Sequence, residues 1–286
     1  MKLNTLLLSA CLIFISCDNE PLGSSSDINN NSPQIGNFVP RAGYWIYNVN
    51  NTSELDPNMN IVSTDSVYLD EDFENYFSLS ANEDGFANGS MNSILTNGNL
   101  YDSQRKLVFD GSFTLPENIA NLGLDNFTLS DVTLIDLDAE NGDFMFFQSE
   151  TITNTLDIQG TELPIELNYE IYTSKNNYHD SLNIDGDEYL NVFEGNFTFV
   201  LSISGTFTLG GFPLTVSILE PQNIINTNYY YVKSIGLVRS ESNQGFELSS
   251  ELNTIFDLLG FPIDIPTSFN VQNIEQLIEF ELDWFI

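Results

Sequence analysis

Three stretches of strict period-two alternation constrain what this chain can fold into more than any other feature. Phe197, Phe199, Leu201, Ile203, Phe207 and Leu209 alternate with Thr198, Val200, Ser202, Ser204, Thr206 and Thr208. Leu163, Ile165, Leu167, Tyr169 and Ile171 alternate with Glu166, Asn168 and Glu170. Ile278, Phe280, Leu282, Trp284 and Ile286 alternate with Glu279, Glu281 and Asp283. Successive side chains of a strand point to opposite faces, so each stretch offers one face to a core and one to water. That is the signature of antiparallel sheet. Asn97-Gly98, Asp110-Gly111, Asn141-Gly142, Asp185-Gly186 and Gly210-Gly211 supply turn signals between such runs. The expected fold is all-β: one or more curved antiparallel sheets forming a sandwich or an open or closed barrel, with little helix. Gly205 falls on an apolar face and predicts a kink or a close approach.

Helix is expected at one place at most. Leu252, Ile255, Phe256 and Leu259 have helical spacing, with Ser249 or Ser250 as cap and Gly260 as stop. The segment 256–263 also echoes 207–214, which reads as strand, turn, strand, so a second hairpin is equally open there. A longer echo links Asp65–Phe73 with Asp180–Tyr189, each preceded by an aromatic strand and followed by an aromatic run. On that basis the β domain, 39–286, could hold two related units, 40–150 and 160–286. Trp284 and most of the phenylalanines are expected in the core.

The start of the chain carries a second message. Lys2 is followed by an apolar run from Leu6 to Ile15, too short to span a bilayer and of the length of a signal-peptide core. Ser16-Cys17 then gives way to Asp18-Asn19-Glu20. This leader resembles a bacterial lipoprotein signal, with the acidic residues found after the cysteine in surface lipoproteins of the Bacteroidota. The resemblance implies a signal peptide at 1–16, acylation of Cys17 with chains such as palmitate, and a flexible tether at 17–38 rich in Ser, Asn and Asp. Leu8-Ser9-Ala10-Cys11 also matches the lipoprotein box, so Cys11 is the alternative, although cleavage there would leave a very short apolar core. The implied location is the outer membrane, facing outwards, with the membrane as a partner through the lipid. Gly43-Tyr44-Trp45-Ile46-Tyr47 and the run from Tyr229 to Arg239, closing on Gly236-Leu237-Val238, resemble the opening and closing strands of uncharacterised exported lipoproteins. That resemblance implies a highly curved sheet and brings no catalytic residues.

Charge and cysteine count exclude several classes. Seven Lys and Arg face 41 Asp and Glu, a formal net charge of −34. Such a chain repels phosphate backbones, so nucleic acid is not an expected partner. With Cys17 acylated no thiol remains for a disulfide or for catalysis. One histidine, His179, rules out multi-histidine metal sites. Its surroundings, Asn176-Asn177-Tyr178-His179-Asp180, read as a loop.

Few residue groups point to chemistry. Asn183-Ile184-Asp185-Gly186-Asp187 resembles a calcium loop but lacks the bidentate glutamate, and Asp185-Gly186 reads better as a hairpin turn. Calcium at Asp185 and Asp187, or at Asp70 and Asp72, is the one cofactor to consider; otherwise none is expected. Asp65-Ser66-Val67 and Asp180-Ser181-Leu182 resemble O-glycosylation triplets of exported Bacteroidota proteins, with Ser66 and Ser181 as acceptors. Tyr229, Tyr230 and Tyr231 could stack on a ligand, although alternation puts Tyr230 on the face opposite the other two. No pair of acidic residues stands out as a glycosidase pair. The expected function is a lipid-anchored, non-enzymatic binding or scaffold module with a glycan or envelope-protein partner. A carrier of an apolar ligand and a glycan hydrolase are the alternatives.

Overall fold

The computed structural model describes residues 38–103, 105–115, 126–158, 161–209, 211–252 and 267–282. Among these residues twelve strands and a short α-helix, besides a single 3-10 turn at Pro57–Met59 and the helical turn that begins at Ser250, follow in chain order: β1 (Tyr44–Thr52), β2 (Ile61–Asp72), β3 (Phe77–Ala81), α1 (Ser90–Leu95), β4 (Gly98–Ser103), β5 (Lys106–Thr114), β6 (Asn126–Asp136), β7 (Phe144–Ile158), β8 (Thr161–Ile184), β9 (Asp187–Leu209), β10 (Phe212–Val232), β11 (Gly236–Glu247) and β12 (Ser268–Glu281). All twelve strands belong to one antiparallel sheet in the order β6-β5-β4-β3-β2-β1-β12-β11-β10-β9-β8-β7, nearly closed into a barrel. Every pair of consecutive strands except β6 and β7 is joined, and β1 pairs with β12 from Tyr44–Glu281 to Thr52–Gln272. The single gap in the ladder therefore falls between two consecutive strands, β6 and β7.

Side chains close that gap. Phe113 and Phe127 from β5 and β6 pack against Tyr169 and Phe199 from β8 and β9, with ring centroids 4.9 to 5.5 Å apart. Leu134 is the extra residue of a register shift in β6, and its carbonyl accepts the hydroxyl of Tyr229 at 2.6 Å. The neighbouring carbonyl of Thr133 accepts Thr173 Oγ1 at 2.5 Å. The Leu134 carbonyl, at a position without a ladder partner, is thus satisfied from across the lumen, as burial requires. At the end of the gap Lys175 reaches inward and donates to the carbonyl of Ala139 at 2.7 Å. Burial pushes its ammonium below the ordinary lysine value.

The alternation places the core as expected in β8 and β9. Leu163, Ile165, Leu167, Tyr169, Ile171, Phe197, Phe199, Leu201 and Ile203 are buried, whereas Glu162, Glu166, Asn168 and Glu170 are exposed. Apolar side chains fill the inside and carboxylates face out, the reverse of a bilayer-spanning barrel. No helix among the described residues is long and apolar enough to cross a membrane. Asp185 and Gly186, at φ of 53° and 102°, form the two-residue turn between β8 and β9. Gly211, at φ 88°, turns β9 into β10. A methyl group on Gly205 would stand 2.9 Å from Ile218 Cδ1, the close approach that its position on the apolar face predicted.

Four expectations are corrected. His179 is not in a loop but in the 24-residue β8, and Asn176-Asn177 mark a register shift within that strand. Asp110-Gly111 is not a turn: it lies inside β5, where Gly111 pairs with Gly98 and a side chain would collide with the opposite backbone. Asn97-Gly98 likewise leads out of α1 into β4 rather than joining two strands. In β12 the buried face is Val271, Asn273, Glu275 and Leu277, while Ile278 and Phe280 are 61% and 43% exposed. Ile278 is the extra residue of a register shift opposite Ile46 and Tyr47 and so loses its inward place; beyond it Phe280 pairs with the buried Trp45, on the face the alternation gave it, but stays exposed near the end of the strand. Trp284 and Ile286 lie outside the described residues, as do 253–266, where helix and second hairpin were left open; a helical turn begins at Ser250. The echoing segments do not share a structure, because 65–72 lies within one strand and 180–189 wraps around a hairpin.

The two motifs that carried the resemblance meet in space. Trp45 Nε1 donates to the carbonyl of Ile235 at 2.6 Å, and Tyr47 donates to that of Leu237 at 2.8 Å. Gly236 sits against the Trp45 indole and has φ 111°.

Candidate functional site

Inside the barrel the segment between β3 and β4 folds back into the lumen and ends in α1. Six residues cannot hold a helix on their own, because nucleation costs more than one or two turns return. The N-cap Gly89 offers no side chain to the first amides. The wall does so instead. Five consecutive backbone N–H groups each find an acceptor on it: Asn88 and Gly89 donate to Asp65 Oδ1 and Oδ2 at 2.8 Å, Ser90 to Asn273 Oδ1 at 3.1 Å, and Met91 and Asn92 to Glu275 Oε1 and Oε2 at 2.6 and 3.0 Å. Asp65 comes from β2, and Asn273 and Glu275 from β12. Ser240 on β11 donates a further bond to Glu275 at 2.7 Å, and Asn82 and Asn88 side chains donate to Asp65. Both carboxylates are 0% exposed. The positive end of the helix and the converging donors offset part of the cost of burying them. Gly89 is required sterically, since a methyl group there would lie 2.3 Å from Glu275 Cδ.

Met91, Ile94 and Leu95 then fill the lumen from the other face of α1. A small cavity of about 30 Å³ lies beside them, lined by Trp45, Tyr47, Asn92, Leu100, Tyr231 and Leu237 among others. That volume suits one or two water molecules and no larger guest. Asn92 Oδ1 is buried without a protein partner; an orphan acceptor of this kind costs about 1–3 kcal/mol. Burial and the Glu275 charge push the Tyr231 phenol well above its ordinary value, and burial does the same to Tyr47.

At the mouth of the barrel, α1 and the strands frame a cleft of about 320 Å³. Phe113, Leu115, Ile94 and Ile225 give it an apolar floor; Asn51, Asn88, Ser90, Ser93, Gln244 and Asn273 give it an uncharged polar rim. Among the described residues no Asp, Glu, Lys, Arg or His lines it. Asp65 and Glu275 sit behind the rim, turned to the backbone of 88–92 rather than to the cleft. The cleft thus combines an apolar floor with a few amides and hydroxyls.

The residues singled out from the sequence are dispersed. Asp72 pairs with Arg41 at 3.0 Å, and Asp185 pairs with Arg239. Asp70 is the extra residue of a register shift between β2 and β3, and Asp187 closes the β8–β9 turn opposite Ile184. Among the described residues no group of three or more His, Cys, Asp and Glu could hold a metal ion. Ser181 is exposed and donates to Glu188 at 2.6 Å, whereas Ser66 is half-buried in the ladder beside the fully buried Asp65. Tyr229 and Tyr231 are core residues with rings 5.9 Å apart, and only Tyr230 faces outward, itself half-buried. A surface ligand cannot stack on the first two. His179 bonds Glu194 at 2.7 Å on the outer wall. Cys11 and Cys17 lie outside the described residues. Glu275 and Asn273 escaped notice because the alternation in the last strand was read only from 278 onward; the phase Val271, Asn273, Glu275, Leu277 was the available signal. Comparison of the chain with protein-family models, with curated proteins and with solved structures gave no match.

Proposed function

We propose that this protein is a lipid-anchored, exported binding module, not an enzyme, and that its ligand is a neutral hydroxyl-bearing molecule such as a glycan segment, held in the cleft at the barrel mouth. The observation that carries the reading is the lining of that cleft: amides and hydroxyls around an apolar floor, with no titratable side chain among the described residues. Sugars present this combination of a C–H face and a hydroxyl rim, and amides can meet adjacent hydroxyls in pairs. The net charge of −34 disfavours anionic ligands on the same surface. The small cavity beside α1, about 30 Å³, would not admit an apolar ligand of the size a carrier holds. The hydrolase alternative lacks, among the described residues, a solvent-facing carboxylate in the cleft.

Titration calorimetry with neutral oligosaccharides, against matched uronic-acid oligosaccharides, tests the cleft. Binding of the neutral set that is lost in Gln244→Ala and Asn51→Ala supports the reading. Binding only of the acidic set, release of reducing ends, or no heat with either set refutes it. Mass spectrometry of the native N-terminus tests the anchor: an acylated Cys17 is expected, and a free or absent thiol would sink the membrane attachment. Protease shaving of intact cells then reports which way the module faces.

A further inference from the structure

We propose that the segment from Asn82 to Leu95 is a releasable plug, that the Glu275–Asp65 clamp is its pH-sensitive latch, and that release of the plug dismantles the mouth cleft. The regulatory role rests on the ligand cleft described above, because Asn88, Gly89, Ser90, Ser93 and Ile94 of the plug form one of its walls.

The geometry separates this segment from the rest of the lumen. Its helix has six residues and no cap of its own, so it persists only while the wall holds it. The hold at its N-terminus consists of bonds from five successive amides to Asp65, Asn273 and Glu275, two of them carboxylates taken entirely out of water. Among the described residues, the titratable groups facing Glu275 are Asp65 on β2, Tyr47 on β1 and Tyr231 on β10; β11 contributes the Ser240 hydroxyl, and α1 contributes amides. No cation faces it. The latch is therefore two like charges held apart from solvent by dipoles alone.

Burial pushes the Glu275 carboxyl up to about 7, with the Asp65 charge adding to the rise and the bonds from Ser240, Met91 and Asn92 opposing it. Once the plug leaves and water reaches the wall, the same group moves back toward the ordinary carboxylate value of 4.5. The closed state thus binds more protons than the open one between these two values, so rising pH favours opening through that window and the effect levels off above about 7. Each unit of difference is a factor of ten, which makes the full effect roughly 300-fold and the part between pH 5 and 8 on the order of 100-fold.

Hydrogen exchange on the whole protein, read as protection relative to the intrinsic rate at each pH, tests the proposal. Amides of 88–95 should lose protection by on the order of 100-fold from pH 5 to 8 and level off above 7, while those of 197–203 in β9 hold theirs. Ser240→Ala removes a donor to the carboxylate and should move the levelling-off point to higher pH. Glu275→Gln should flatten the profile. A flat wild-type profile for 88–95, or a slope that survives in Glu275→Gln, overturns the latch. Neutral oligosaccharide binding combined with a flat profile overturns the latch alone. A sloping profile without such binding upholds the plug and overturns the ligand reading.

Discussion

Removing one oxygen from the Tyr229 side chain should cost more stability than removing the same atom from its neighbour. Tyr229 is 0% exposed, and its hydroxyl is the partner of the Leu134 carbonyl at 2.6 Å, across the gap between β6 and β7. Leu134 is itself buried and lies at a register shift, where no opposite residue of β5 is paired with it. Tyr229→Phe keeps the ring, its edge contact with Tyr231 and its packing on Gly195. It removes one hydrogen bond and strands a buried carbonyl, for a loss of about 1–3 kcal/mol. With a urea m-value of about 3 kcal/mol per molar, 2 kcal/mol lowers the midpoint by roughly 0.7 M. Thr173→Val removes the bond to the Thr133 carbonyl beside it and should cost a similar amount, about 1–3 kcal/mol. Tyr230→Phe is the internal control, since that ring is half-buried on the outer face, and its stability should stay within about 0.5 kcal/mol of the parent. Urea curves followed by tryptophan fluorescence suffice. Equal midpoints for Tyr229→Phe and Tyr230→Phe would refute the idea that side chains, not a ladder, close the barrel.

Gly186→Ala puts a side chain at φ 102° in the β8–β9 turn and should destabilise by about 1–2 kcal/mol in the same assay without altering exchange in 88–95. Gly89→Ala drives a methyl group into Glu275 Cδ and should raise exchange of 88–95 at every pH while the strands keep their protection. Loss of protection throughout the barrel in that variant would mean that the plug is integral to the core.

The sequence exposed the fold where one strand face is wet and the other dry, and concealed it where that contrast fails. Glu166, Asn168 and Glu170 mark the outside of β8 so plainly that its apolar face cannot be misread. Asn176-Asn177 mimics a loop because the residues that suit turns also suit the irregular backbone of a register shift. The slip at Ile278 inverts the faces of β12 beyond it, and no local property of Ile278 announces that it lacks a partner on β1. The same limit hides the clamp. Asp65 and Glu275 stand on inward faces beside Val67 and Leu277, where a carboxylate looks like an error in the pattern. Their partners include backbone amides 23 to 24 and 183 to 184 residues away in the chain, supplied by a segment whose own pattern suggests nothing.

An inward acidic residue in an otherwise apolar phase is informative for that reason. Burial without a partner would cost several kcal/mol, so a folded chain that keeps two such residues must bring donors to them. In a nearly closed barrel the wall has few to spare, because its own amides are committed to the ladder. The donors must come from a segment that enters the lumen with free N–H groups, and the first turn of a helix is the commonest source. Two inward carboxylates on strands that flank β1 therefore argue for an inserted helix start between them, and α1 is where the chain provides it.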